Sequence, residues 1–324
     1  MNKQSTKSEK DRPHGQKIEK ADLSVDIGPL TLKNPVMAAS GVFGYGLELV
    51  DFCPPQKLGA IISKGLSLVP WKGNPAPRMA ETAGGLLNAI GLENMGVDAF
   101  LASALGAVKK TGAVVGVNVL GRTEEDYAVL AEKLGRTEAD FIELNVSCPN
   151  LASSGGASFG ADPVVAARLT EKAVKRAGSK PVVVKLPPLV GDVAALAKKL
   201  EEAGATALSL INSLPGLSIN LQNRQADLGH GFGGLSGPPI KPLALRQTYL
   251  TAQAVKIPVI GVGGILNHLD ALEFIAAGAT AVQMGVGVLI DPSSPLAVIE
   301  GLAEWLTEQN LALSELRGSL KLRA

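Results

Sequence analysis

The chain has 324 residues, 46% of them hydrophobic and 19% charged, and its 37 glycines beside 3 tyrosines and 2 tryptophans fit an α/β protein with many small-residue turns around an aliphatic core. A formal net charge of +1 supplies no field of the size needed to hold nucleic acid or an anionic membrane. Cys53 and Cys148 are too few for a disulfide framework, a four-cysteine zinc site or an iron–sulfur cluster held by this chain alone.

Residues 1–20 carry Lys3, Lys7, Lys10, Lys17 and Lys20 among polar neighbours without an apolar h-region, so they read as a disordered polar tail ahead of a single domain over 21–324. With no secretory signal, and no apolar run near the roughly 18 residues of a spanning helix, the expected compartment is the cytoplasm. Residues 22–33 alternate around Gly28-Pro29, which predicts a hairpin plugging the bottom of the fold that follows. Eight short apolar runs then recur, at 35–40, 59–64, 113–119, 140–146, 181–186, 205–211, 258–262 and 279–284. Their near-continuous Val, Ile, Leu and Ala content is what parallel strands buried on both faces require. Amphipathic stretches at 124–134, 163–177, 193–203 and 269–277 lie between them, and Gly204 and Gly278 fall where helix C-caps are expected. The segment 214–240 is a long Gly- and Pro-rich insertion after the sixth strand, and long loops of this kind are more often functional than structural. Eight βα units predict an α/β fold of the (β/α)8 barrel type; seven or nine would fit a doubly wound sheet instead.

In such a barrel, chemistry sits at the C-terminal ends of the strands. The polar residues that interrupt the apolar runs fall there: Lys64, Asn118, Asn145 and Cys148, Lys185, then Asn212 and Ser213. Each has a bland alternative, since a strand-end lysine is usually a surface residue and a lone cysteine usually a small core hydrophobe. Two glycine clusters follow the last strands, Gly261-Val262-Gly263-Gly264 and Gly285-Val286-Gly287. Bare backbone N–H groups in these loops commonly bind phosphate, which points to a phosphorylated ligand; the alternative is that they are only tight βα turns.

Other matches carry less. The spacing of Gly229, Gly231 and Gly234 fits a dinucleotide fingerprint but runs into Pro238-Pro239 instead of a helix. The sequon Asn145-Val146-Ser147 sits at the barrel mouth of a chain without a secretion signal. His14, His230 and His268 have neither triad nor metal-ligand spacing, so no metal site is expected.

The run Glu143-Leu144-Asn145-Val146-Ser147-Cys148-Pro149-Asn150 resembles the signature of class 1 dihydroorotate dehydrogenases, in which the cysteine is the catalytic base. The resemblance extends to Asn88-Ala89-Ile90-Gly91-Leu92-Glu93-Asn94, Gly73-Asn74-Pro75 with Pro77-Arg78, Gly233-Gly234-Leu235-Ser236-Gly237-Pro238 and Gly263-Gly264-Ile265, and covers about 23–302. It implies FMN as cofactor and oxidation of (S)-dihydroorotate to orotate in pyrimidine biosynthesis, with Cys148 taking the C5 proton and the C6 hydride passing to the flavin. Lys64 would lie between flavin and substrate, and Lys185 would face the N1/O2 edge of the ring. Ser40, Gly65, Asn118, Asn145, Ile211 and Gly237 would also contact FMN, and Gly263, Gly264, Gly285 and Val286 would cradle its phosphate. The substrate would meet Asn88, Ile90, Gly91, Leu92, Asn145, Asn212 and Ser213. The Asn88-Ala89-Ile90-Gly91 loop favours class 1B, whose catalytic chain passes electrons to NAD+ through a partner subunit with FAD and a 2Fe-2S cluster, as a homodimer core or heterotetramer. Two positions depart from the pattern: Val286 replaces a common Thr or Ser, and Leu186-Pro187-Pro188 replaces Ser-Pro-Asn. The rivals are a fumarate-reducing class 1A enzyme, a dihydropyrimidine dehydrogenase-like flavoprotein and, in another reaction class, a phosphate-binding barrel lyase using Lys185 as a Schiff base.

Overall fold

A computed structural model describes residues 21–147 and 159–323. Eight parallel strands close into a barrel: β1 (Val36–Ala38), β2 (Ala60–Ile62), β3 (Val115–Val119), β4 (Phe141–Asn145), β5 (Val182–Lys185), β6 (Ala207–Leu210), β7 (Val259–Val262) and β8 (Ala281–Met284). Each strand pairs with the next in sequence, and Val282↔Val36 joins β8 to β1, so the sheet has no open edge. Every residue of the eight strands is buried. The apolar runs therefore read as they do because both faces of the sheet are covered. The ladders are shorter than those runs, by one or two residues at the N-terminal end of every strand and at the C-terminal end of five.

The outer layer is helical: α1 (97–109), α2 (Glu124–Gly135), α3 (Pro163–Ala177), α4 (Val193–Glu202), α5 (Lys241–Ala254), α6 (His268–Ala276), α7 (Val286–Ile290) and α8 (Ser294–Gln309). Several start on a side-chain cap that satisfies orphan N–H groups of the first turn: Thr123 for α2, Asp162 for α3, Asp192 for α4 and Asn267 for α6. Gly204 and Gly278, just past α4 and α6, take φ of +90° and +114°, the left-handed exit that lacks a Cβ penalty. The first crossover departs from the simple repeat. Residues 39–59 form turns ending in the 3-10 turn Pro55–Lys57, with no α-helix, and α8 packs on β1.

The barrel interior is layered. At the bottom, Met37, Ile62, Phe141, Val183, Ile260 and their neighbours form an apolar cluster closed by Ile27 and Leu32 of the hairpin Val25–Ile27 and Leu30–Leu32. Gly116 makes the Phe141 ring fit, because a Cβ at 116 would lie 2.2 Å from Phe141 Cζ. The insertion is more ordered than a Gly- and Pro-rich loop predicts. Leu214–Gly216 and Gly233–Ser236 join Leu86–Asn88 and Met79–Glu81 in a four-stranded antiparallel sheet, and Ile219–Asn220 pairs with Gln225–Ala226.

Candidate active site

Period-2 alternation turns every second strand residue inward, and above the apolar bottom the inward residues become polar. Asn118 of β3, Glu143 of β4, Ser209 of β6 and Gln283 of β8 meet in the barrel centre, all buried. Glu143 Oε2 accepts from Asn118 Nδ2 at 2.7 Å, and Oε1 accepts from Ser209 Oγ at 2.9 Å and Gln283 Nε2 at 2.7 Å. Three donors compensate the desolvation of a buried carboxylate. Asn118 Oδ1 and Gln283 Oε1 keep no hydrogen-bond partner among the described residues.

One level higher, a two-lobed cleft opens at the C-terminal ends of the strands. The first lobe, about 260 Å³, is walled by Lys185, Ile211, Gly237, Gly263, Gly264, Gly285 and Val286. The second, about 240 Å³, is walled by Lys64, Gly65, Gly91, Leu92, Asn118 and Asn145. Ser40, Asn88, Ile90, Asn212 and Ser213 border both, so the lobes are contiguous. The fold thus brings together every described residue that the sequence nominated for cofactor or substrate. Cys148 lies outside the described residues, as does His14. His230 and His268 fall in the insertion and at the start of α6, off the cleft lining.

The polar groups of the cleft are held in a chain. Asn212 Nδ2 donates to Ser147 Oγ at 2.8 Å, Ser147 Oγ donates to Asn145 Oδ1 at 2.9 Å, and Tyr127 Oη donates to the Asn145 carbonyl at 2.7 Å. Asn88 Nδ2 donates to the Gly234 carbonyl at 3.3 Å. A Cβ on Gly234 would lie 2.0 Å from Ser213 Oγ, so glycine at 234 is what lets the added sheet approach the strand-six end. The cations differ in setting. Lys185 is 4% exposed and donates to Ser40 Oγ at 3.3 Å. Lys64 stands at the rim with Glu93 Oε2 3.9 Å away, and that carboxylate also accepts from Arg78 Nη1 at 2.6 Å.

Glu93, Ser147 and Glu143 stand in the quoted motifs without an assigned role, and Ser209 and Gln283 lie outside them. The last three were detectable as polar residues on the inward phase of otherwise apolar strands. Glu93 and Ser147 carried no such signal, because their place depends on loops.

The residues lining the cleft fit a flavin. Gly263 and Gly264 take φ of +132° and +73°, and a Cβ on Gly264 would lie 2.7 Å from Lys241 Cβ, so this cleft-lining turn requires glycine both for its backbone conformation and for its packing. An ideal Cβ at Gly285 meets nothing within 4 Å, leaving open space beside the first turn of α7. The unpartnered Asn118 Oδ1 matches an N–H on a planar ring.

A closed parallel barrel whose strand ends combine a glycine-lined wall, a buried lysine and a chain of amides has the form of a (β/α)8-barrel enzyme with its cleft at the C-terminal ends of the strands. The particular family is shown by comparison. A family model described as dihydroorotate dehydrogenase matches residues 22–306, and the chain belongs to that family, whose members are oxidoreductases. It is 50% identical over 307 residues to a protein of Geotalea daltonii, covering 94% of this chain and 100% of the relative. It is 50% identical over 303 residues to one of Geotalea uraniireducens (93% and 99%) and 48% over 306 residues to one of Geobacter sulfurreducens (94% and 100%). All three relatives are named dihydroorotate dehydrogenase B (NAD(+)), catalytic subunit.

Proposed function

We propose that this chain is the catalytic subunit of a class 1B dihydroorotate dehydrogenase, oxidising (S)-dihydroorotate to orotate with FMN and passing electrons to NAD+ through a partner subunit that carries FAD and a 2Fe-2S cluster. The observation that carries this reading is the convergence on one cleft of all the described residues that the family motif nominates, in a chain about half identical to proteins of that name. Backbone N–H groups of Gly263, Gly264, Gly285 and Val286 would hold the phosphate. Val286 offers no hydroxyl, so backbone alone serves there. Bound in this cleft, FMN supplies the two-electron acceptor. Asn88, Asn145, Asn212 and Ser213 provide the donors and acceptors that a planar pyrimidine needs, while Lys64 offers a cation to a carboxylate. Cys148 is the proposed base for the C5 proton.

Absorbance of the purified protein tests the cofactor: one FMN per chain released on denaturation, and bleaching by dihydroorotate under anaerobic conditions, are expected. The isolated chain should reduce artificial dyes but use NAD+ poorly until the partner is added. Efficient NAD+ reduction by the chain alone would refute the partner assignment, and rapid fumarate turnover would move it to class 1A. A colourless protein that no flavin reconstitutes would overturn the reading, and borohydride trapping of a substrate on Lys185 would favour the lyase.

A further inference from the structure

Glu143 is the most deeply buried carboxylate beside the cleft, and no role in the proposed reaction uses it. Its exposure is 0%, and no ammonium or guanidinium lies within ion-pair distance of it among the described residues. What it does is determined by its chemistry. A carboxylate only accepts, so the Asn118 atom 2.7 Å from Glu143 Oε2 has to be the amide NH2, and the amide oxygen has to point the other way. That oxygen, Oδ1, is buried and without a partner among the described residues, and Asn118 lines the second lobe. The space in front of it is kept clear by Gly65, since a Cβ there would lie 2.9 Å from Asn118 Oδ1 and 2.8 Å from Leu120 Cδ2. A buried acceptor locked in one direction is costly unless a ligand donor meets it, because an unpaired buried polar atom loses its hydration without return.

We infer that Glu143 is a positioning residue that sets the polarity of the Asn118 amide, so that this wall of the cleft receives an N–H donor, which on the FMN reading is the flavin N3–H. Oxidised isoalloxazine carries one ring N–H, at N3, and its remaining polar ring atoms are acceptors. An Asn118 turned the other way would set NH2 against that donor and leave two donors facing each other. Ser209 and Gln283 hold Oε1 of the same carboxylate, so Glu143 cannot rotate away from Asn118 without breaking two further bonds. The inference rests on FMN binding here.

The test uses full-length protein reconstituted with FMN labelled with 15N at N3, with flavin stoichiometry and N3–H exchange with solvent followed by NMR. Wild type is expected to hold one flavin with a slowly exchanging N3–H. Glu143→Gln has the same shape but can present either end of its amide to Asn118. It is expected to retain flavin while N3–H exchange accelerates at least about tenfold, the loss of one charge-assisted hydrogen bond. Asn118→Ala should show the same acceleration, and it keeps the inference falsifiable even where Glu143→Gln does not fold. A folded Glu143→Gln with wild-type exchange, or an Asn118→Ala protein with a still-protected N3–H, overturns the inference while leaving FMN binding intact. Wild type that takes up no FMN would instead sink the function proposed above.

Discussion

Lys185 is a cation in a nearly closed setting, 4% exposed with a long hydrogen bond to Ser40, so its charge acts through low-dielectric surroundings on whatever occupies the first lobe. Lys185→Ala removes stabilisation of negative charge developing there. Flavin reduction by dihydroorotate should slow by about a hundredfold or more, with the far-ultraviolet circular dichroism unchanged. Stopped-flow bleaching at wild-type speed would exclude that role. The proposed base makes a different demand. A thiol has an ordinary pKa of about 8.5, so only a minority of Cys148 is thiolate near neutral pH unless its site lowers that value. The base must be deprotonated before it can take a proton, so the reduction rate should climb as pH rises through the thiol pKa. Cys148→Ala should bind FMN and orotate yet lose most of the rate, and Cys148→Ser should be slow but improve in alkali. A pH profile unchanged in Cys148→Ala would reduce the residue to packing. Cys53 is the contrast: fully buried, its thiol is pushed up to about 11 by desolvation, which suits a core hydrophobe.

The N-terminal hairpin seals the barrel from below through Ile27 and Leu32, which are 1% and 0% exposed. Truncating such a side chain removes its transfer energy and leaves a cavity in a layer that cannot collapse, because the closed sheet around it is rigid. Leu32→Ala should cost about 2–5 kcal/mol in urea unfolding, while flavin content of the folded fraction stays at the wild-type level because the cleft is at the opposite end. A loss below about 1 kcal/mol would mean that the hairpin does not close the core. The insertion sheet makes a functional prediction. Gly234→Ala would push a methyl to within 2.0 Å of Ser213 Oγ, so Ser213 or the strand has to shift. Orotate binding, measured by titration of the flavin spectrum, should weaken while the unfolding midpoint moves little. Unchanged orotate affinity would remove Ser213 from the substrate site.

At the scale of the whole molecule, acid stability depends on ion pairs that tie the helical layer together. Glu124 at the start of α2 pairs with Arg168 and with Lys172 of α3, the latter at 2.8 Å. The hydrogen bonds from Arg168 and then Lys172 lower the Glu124 carboxyl from 4.5 to about 2. A carboxylate whose folded value is depressed stabilises the fold fully above its unfolded value, near 4.5, and loses that contribution as pH falls towards about 2. Arg168 and Lys172 are half-exposed, so solvent screening holds the effect to about 1 kcal/mol or less. Glu124→Gln should therefore lower stability at pH 6 but not at pH 2, and high salt should shrink the difference. A difference that persists at pH 2 would assign the effect to packing. No helix among the described residues is long and apolar enough to cross a membrane.

The sequence alone determined the barrel, because eight strands buried on both faces require eight nearly continuous apolar runs, and the polar residues ending those runs had to crowd the same rim. It also determined the hairpin, through the turn at Gly28-Pro29, and the glycine-lined wall of the cleft after the last two strands. Tertiary structure decided what local pattern could not encode. The pairing of 79–88 with 214–236 joins segments more than a hundred residues apart and depends on closure of the barrel beneath them, so 214–240 reads as an unstructured insertion in isolation. The missing first helix was hidden too, since the turns at 39–59 close largely on themselves, with the Glu48 carboxylate accepting from the N–H groups of Tyr45, Gly46 and Leu47. The convergence of Asn118, Ser209 and Gln283 on Glu143 likewise follows from the stagger of a closed sheet, which brings inward residues of strands three, four, six and eight to one level. A one-dimensional pattern shows that each of these residues points inward, but only ring closure determines which of them meet.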